Sequence, residues 1–269
     1  MIKLSKTVFA FLIFGYAFLY IPLVFIVVCS FSESEVPGIW TKFSLKWFAL
    51  VFQDKDLLKA AATSIEIAGM SATGATIMGI LAASATTSCD EYLGRKCLKK
   101  LMIAPIILPE LVIGFSLLML FILSENIFGF PKGRGIMTVT IGHTMGSVAY
   151  VYKNIRSCMA SIDKSIEESA NNLGARSIVS FLYIKVPILR HSVLSGWLLA
   201  FTLSLDDLVI ASFLTGPGAT TLPLLIFSNI KIGITPTINA FATLFMALVS
   251  LCIVRASWRS RKKRGDYDS

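Results

Sequence analysis

Six stretches of the chain run for 17 or more residues without a lysine or arginine, at about 7–31, 61–85, 101–123, 136–152, 193–214 and 237–254. A helix needs about 20 apolar residues to cross a bilayer core, so each stretch is a candidate span. None alternates apolar with polar residues as a barrel strand does, and a helix satisfies its own backbone where lipid cannot. The pattern predicts an all-α membrane protein, a six-transmembrane-helix bundle forming a single domain over residues 1–269. Composition agrees: 55% of the residues are hydrophobic and the mean hydropathy is +0.74, too apolar for an ordinary soluble domain of 269 residues. The first stretch is longer than the roughly 7–15 apolar residues of a cleaved leader, and no small-x-small site follows it, so a retained helix is expected.

The connections set the orientation, because lysine and arginine are kept on the cytoplasmic side during insertion. With an inside N-terminus, Lys3, Lys6, Arg95, Lys96, Lys99, Lys100, six basic residues from Lys153 to Arg190 and six from Arg255 to Arg264 fall inside, 18 of the 25 in the chain. Both termini are therefore expected in the cytoplasm, and the net charge of +9 follows from topology. The tail Arg259-Ser-Arg-Lys-Lys-Arg264 adjoins the last span and reads as an anchor on anionic membrane lipid, with no nucleic acid as partner.

No GxxxxGK[ST] loop, GxSxG elbow or HExxH helix is present, and the five cysteines are scattered without disulfide or metal-ligand spacing. Neither a catalytic residue nor a metal site is expected, and the chain is read as a non-enzyme. In the second stretch Ser71, Ala75, Gly79 and Ala83 recur every four residues. They share a helix face that admits another backbone closely, either within the bundle or at a seam between subunits. Pro105 and Pro109 free backbone carbonyls in the third stretch and are expected to kink it.

Four acids lie inside the apolar stretches, Glu66, Glu110, Asp206 and Asp207, with no lysine or arginine in any of the six to pair with them. Each costs roughly 2.5–3.5 kcal/mol at a helix centre, so they should face the interior or an aqueous path. Glu110 is about 14 Å along its stretch at 1.5 Å per residue. A path lined by unpaired carboxylates favours cations; the alternative is a packing role, with the acids bonded to Ser, Thr or backbone groups. His143 is expected to be a hydrogen-bonded packing residue rather than a proton relay.

The inside connection over about 153–192 has a pattern of its own. Ser165-Ile-Glu-Glu168 has capping-box spacing and Gly174 suits a left-handed helix end, which predicts a short helix over about 165–173. Ser177 is expected to cap a second short helix that Pro187 stops. A capped, partly apolar helix pair at the cytoplasmic face suits docking onto a partner better than a mere tether does.

These residues also carry a family resemblance. Glu167-Glu-Ser-Ala-Asn-Asn-Leu-Gly174-Ala, followed by Val186-Pro187, resembles the EAA loop of permease subunits of type I ATP-binding-cassette importers. Ser169 stands where that loop usually has alanine. The resemblance implies that Glu167, Glu168, Ala170, Gly174, Ala175 and Pro187 couple the chain to a cytoplasmic ATPase, with Glu168 as the loop's acid and Gly174 as its turn. Ala200-Phe-Thr-Leu-Ser-Leu-Asp-Asp207-Leu-Val-Ile, Thr215-Gly-Pro-Gly-Ala-Thr-Thr-Leu-Pro223, Leu108-Pro-Glu110 and Ile234-Thr-Pro-Thr-Ile-Asn-Ala240 are similar to spermidine/putrescine permeases of the C/I type. That likeness spans about 57–255 and implies a multi-pass protein of a bacterial inner membrane. It also implies a polyamine importer made with a second permease subunit, an ATPase dimer and an external or periplasmic substrate-binding protein. ATP and Mg would sit on the ATPase, and this chain would hold no cofactor. Importers of ferric iron, thiamine or phosphonate share the EAA loop and remain alternatives, as does a stand-alone secondary cation transporter.

Overall fold

The structure, a computed structural model, describes residues 6–36, 38–87, 94–233 and 235–265. Its helices are α1 Lys6–Ser30, α2 Lys46–Val51, α3 Lys55–Thr87, α4 Arg95–Ile107, α5 Glu110–Phe128, α6 Ile136–Ala160, α7 Lys164–Asn172 and α8 Ser177–Ser180. After a π-helical turn at Phe181–Lys185 come α9 Val186–Ile188, α10 Arg190–Asp206, α11 Val209–Leu214, α12 Leu222–Ile232 and α13 Pro236–Gly265. The fold is all-α, with no strand among the described residues; Ser32 and Phe43 form an isolated antiparallel bridge.

Two of the expected spans are not single helices. The third stretch, 101–123, breaks at Leu108-Pro109, where both residues are extended with ψ of 137° and 138°. Pro109 has no N–H to continue the ladder, and its ring drives Leu108 out of the helical region. The expected kink is thus a full break at Pro109, whereas Pro105 stays inside α4. The fifth stretch, 193–214, breaks at Asp207, which is extended with ψ 117° and separates α10 from α11. No proline is involved. Asp207 Oδ1 accepts the Ile210 N–H at 2.9 Å, and this local bond starts a new helix in place of continuing the old one.

Among the described helices, α1 through Phe11–Ser30, α3 and α5 are each long and apolar enough to cross a membrane. The pair Phe181–Ile188 and Arg190–Asp206, bent by 67°, passes the same length and composition test together. The 25-residue α6 is more polar, with Thr138, Thr140, His143, Thr144 and Ser147 along it. It packs against α10, α4, α11 and α5, so much of its surface meets protein.

The chain divides into two compact units, Met1–Leu58 with Ile226–Ser269, and Lys59–Leu225. In the first, α1 and α2 pack against α13, and Trp47 Nε1 donates to the Ser32 carbonyl at 2.8 Å. Phe31 stacks on Phe43 with ring centroids 5.6 Å apart.

In the second unit, the small-residue face of α3 meets α6. Ser71, Ala75 and Ala83 have no exposed surface, and a Cβ on Gly79 would lie 2.9 Å from Val151 Cγ1 and 3.1 Å from the Tyr152 N. The face therefore serves packing within the chain. Beyond the second break, α11 nests on α5 and α6 at two glycines. A Cβ on Gly114 would lie 2.8 Å from Phe213 Cδ2, and one on Gly142 would run into Leu214 Cδ1. Thr138 Oγ1 donates to the Leu214 carbonyl at 2.8 Å and pins the far end of α11.

Candidate functional site

Within the second unit, both helix breaks open on one cavity of about 530 Å³. Glu110, Asp206 and Asp207 line it, with Pro109, His143 and Tyr150 among their neighbours. Three of the four intramembrane acids are thus brought together by backbone geometry: Glu110 is the first residue of α5, Asp206 the last of α10, and Asp207 lies in the break itself. Irregular backbone is tolerated at membrane depth where it borders protein or an aqueous cavity. The last carbonyls of α10 add partial negative charge beside Asp206. The cavity therefore suits a cation carrying several hydrogen-bond donors.

The fourth acid is elsewhere. Glu66 lies on an exposed face of α3 and does not line this cavity. At about 100° per residue, a position five residues before Ser71 points about 140° away from the seam with α6.

His143 was expected to be hydrogen-bonded, and its Nδ1 is 2.7 Å from Ser204 Oγ. The ring is buried, yet Nε2 has no hydrogen-bond partner and lies 3.8 Å from Asp207 Oδ2. Tyr150 was missed as a lining residue. Its signal was available, since His143, Ser147 and Tyr150 recur at i, i+4 and i+7 on one face of α6. Among the described residues no group of three or more His, Cys, Asp or Glu is placed to hold a metal ion.

The predicted helix pair of the 153–192 connection forms with altered ends. The first helix is α7, and its cap is Asp163 rather than Ser165: Asp163 Oδ1 accepts the Ser165 N–H at 3.0 Å. These bonds from Ser165 hold the Asp163 carboxyl below the usual carboxylate range, the backbone N–H first and the hydroxyl second. Gly174 has φ +82°, and the Ala175 N–H reaches back across it to the Ala170 carbonyl at 3.0 Å, as in a glycine-terminated helix.

Pro187 does not stop the second helix. It lies in the first turn of α9, where a missing N–H is tolerated, and the chain continues into α10. The preceding π-turn, with the Val186 N–H bonded to the Phe181 carbonyl, absorbs an extra residue ahead of it. Ala170 is buried, whereas Leu173 and Tyr183 are 89% and 76% exposed. The side chains of Glu167 and Glu168 lie outside the described residues.

Comparisons with known proteins bear on both regions. The family described as "Binding-protein-dependent transport system inner membrane component" matches residues 75–258. The putrescine transport system permease protein PotI of Escherichia coli strain K12 is 40% identical over 240 residues, covering 89% of this chain and 85% of that protein. The spermidine/putrescine transport system permease protein PotC of the same strain is 34% identical over 248 residues, covering 92% and 91%. Among solved structures, a chain of a bacterial alginate ABC transporter in complex with an alginate pentasaccharide-bound periplasmic protein superposes with a TM-score of 0.68. It is 16% identical, with coverage of 92% of this chain and 90% of that one, and the likeness is one of fold.

Proposed function

Because the chain belongs to the family of inner-membrane components of binding-protein-dependent transport systems, we propose that it is a permease subunit of an ATP-driven polyamine importer. The observation that carries the cargo class is the meeting of Glu110, Asp206 and Asp207 at two helix breaks around one cavity. Polyamines are flexible polycations, and acids spread along a path replace part of their hydration while holding them weakly enough to let go. The relatives named for putrescine and spermidine support the same class.

In this reading residues 1–269 form one permease domain with six crossings and both termini in the cytoplasm. A second permease completes the path, an external binding protein delivers the cargo, and a cytoplasmic ATPase dimer holds ATP and Mg. ATP binding closes the ATPase dimer and pulls on the segment from α7 to α9. The two broken helices then reorient and open the cavity to the other side. Gly174 and Ala175 shape the docking turn, buried Ala170 seats it, Pro187 marks its return to the membrane, and Glu167 and Glu168 meet the ATPase.

The test is ATP hydrolysis by the reconstituted complex, stimulated by binding protein loaded in turn with putrescine, spermidine, ferric iron or thiamine. Stimulation and uptake with the polyamines are expected; a response confined to ferric iron or thiamine overturns the cargo. Glu168→Arg is expected to leave the chain inserted and abolish stimulation, and normal uptake in that variant removes the coupling assignment.

A further inference from the structure

His143 borders the cavity, and its chemistry is not used by the path as described above. The ring is enclosed, with side-chain exposure of 0%. Its nitrogens differ: Nδ1 is 2.7 Å from Ser204 Oγ, whereas Nε2 has no hydrogen-bond partner and faces Asp207 Oδ2 at 3.8 Å. The two oxygens of Asp207 differ as well, since Oδ1 is committed to the Ile210 N–H at 2.9 Å and Oδ2 is the one turned toward the imidazole. A buried polar nitrogen without a partner calls for an explanation, and tautomer choice supplies one.

With the proton on Nδ1, Nε2 would present a lone pair to a carboxylate oxygen, acceptor against acceptor. With the proton on Nε2, the Ser204 hydroxyl donates to Nδ1 and the ring offers an N–H to Asp207. With Asp207 ionised and the ring neutral, only the second arrangement gives each polar atom a complementary neighbour. A full hydrogen bond then requires Oδ2 to approach by about 1 Å, a small rotation of a carboxylate anchored at its other oxygen.

The surroundings favour such a device. Gly142, next to His143, lets α11 lie close on α6, and Thr138 holds the Leu214 carbonyl at the far end of α11. One helix thus grips α11 at its end and reaches the carboxylate ahead of its first turn.

We propose that His143 is a positioning residue of the path: Ser204 fixes its Nε2–H tautomer, and that N–H steers the free oxygen of Asp207 so that the carboxylate meets a passing ammonium group as an oriented anion. The inference rests on the reading of this cavity as a cation path.

Only two histidines occur in the chain, so His191→Gln leaves one imidazole to observe. The full-length variant, labelled with ¹⁵N-histidine and co-assembled with unlabelled partner subunits in nanodiscs, is expected to show the Nε2-protonated tautomer. Asp207→Asn should move the Nε2 resonance, and Ser204→Ala should move Nδ1. A proton on Nδ1, or an Nε2 signal indifferent to Asp207→Asn, overturns the proposal. In transport assays His143→Leu is expected to lower uptake per ATP hydrolysed about tenfold, with His143→Gln, which retains a donor, restoring most of it. In an Asp207→Asn background the two variants should be indistinguishable. Equal losses for Leu and Gln that persist in that background would show packing alone. If the wild-type complex moves no polyamine, the cargo reading falls by itself, because the nitrogen signals are read without cargo.

Discussion

Two faces of α6 are built on opposite plans. Toward α3, Val148, Val151, Tyr152 and Ile155 are all at most 4% exposed and meet alanines and Gly79, with the Tyr152 hydroxyl 3.1 Å from Thr86 Oγ1 as a buried polar link. Toward the helix breaks, the same helix contributes His143, Ser147 and Tyr150 to a cavity bordered by three acids. The first face excludes everything between two backbones, and the second keeps space open. The difference teaches that the polar cavity borrows its shape from the dry seam. Interiors are close-packed and transmit strain, so a wall that yields on one side changes the void on the other.

The most damaging change should be to the seam. Gly79→Leu places several atoms where even a Cβ is too close to the Tyr152 backbone. Overpacking costs typically about 1–3 kcal/mol, and more where backbone must move, so the melting temperature of the purified complex should fall steeply. Gly69→Ala is the contrast: outside its own stretch of helix no atom lies within 4 Å of its Cβ position, and the complex should be as stable or slightly more so.

Next come the acids. Asp207→Asn and Glu110→Gln should each reduce polyamine uptake about tenfold, with normal amounts of assembled complex, whereas exposed Glu66→Gln should stay within about twofold. Equal losses at all three positions would erase the distinction between cavity and exterior.

Smaller effects are expected away from both faces. Leu173→Asp, at an 89% exposed position, should weaken ATPase stimulation while leaving the melting temperature unchanged. Smallest is the cap of α7. A carboxyl whose folded-state pKa is depressed contributes above its unfolded value and loses that contribution as pH falls through the folded one. Asp163→Asn should therefore differ slightly from wild type in ATPase stimulation at neutral pH. A stability measurement on the two proteins should converge only in acid, below the ordinary carboxylate range.

Much of this was legible in the sequence. Apolar runs located the long helices, four-residue spacing marked the α3 face, and Gly174 and Ala175 closed α7 as a glycine end should. The break at Pro109 was visible as a proline but read as a kink, because hydropathy registers the apolar side chains on both sides and not the lost N–H. The break at Asp207 left a fainter trace. Any aspartate in an apolar run is costly, but that its carboxylate would cap a new turn depends on α11 having a place to dock, and Gly114 and Gly142 provide it. The separation of Glu66 from the other acids was hidden for the complementary reason, since hydropathy identifies an acid in a span without saying which way its helix face turns. His143 was recognised as hydrogen-bonded, while the pairing of its second nitrogen with Asp207 required α6 to meet the break between α10 and α11.

With the cavity as the proposed path, the two interruptions also bear on how such a path changes its cargo. Where a helix stops, amide and carbonyl groups are offered by the main chain itself, and no point mutation short of one to proline, which removes an N–H, deletes them. Part of the hydration a solute surrenders on entry is thus replaced by a fixture shared by every variant of the protein. What remains adjustable is a short set of side chains around it, so redirecting the transporter to a new solute is a problem of a few codons, solved on an unchanged scaffold.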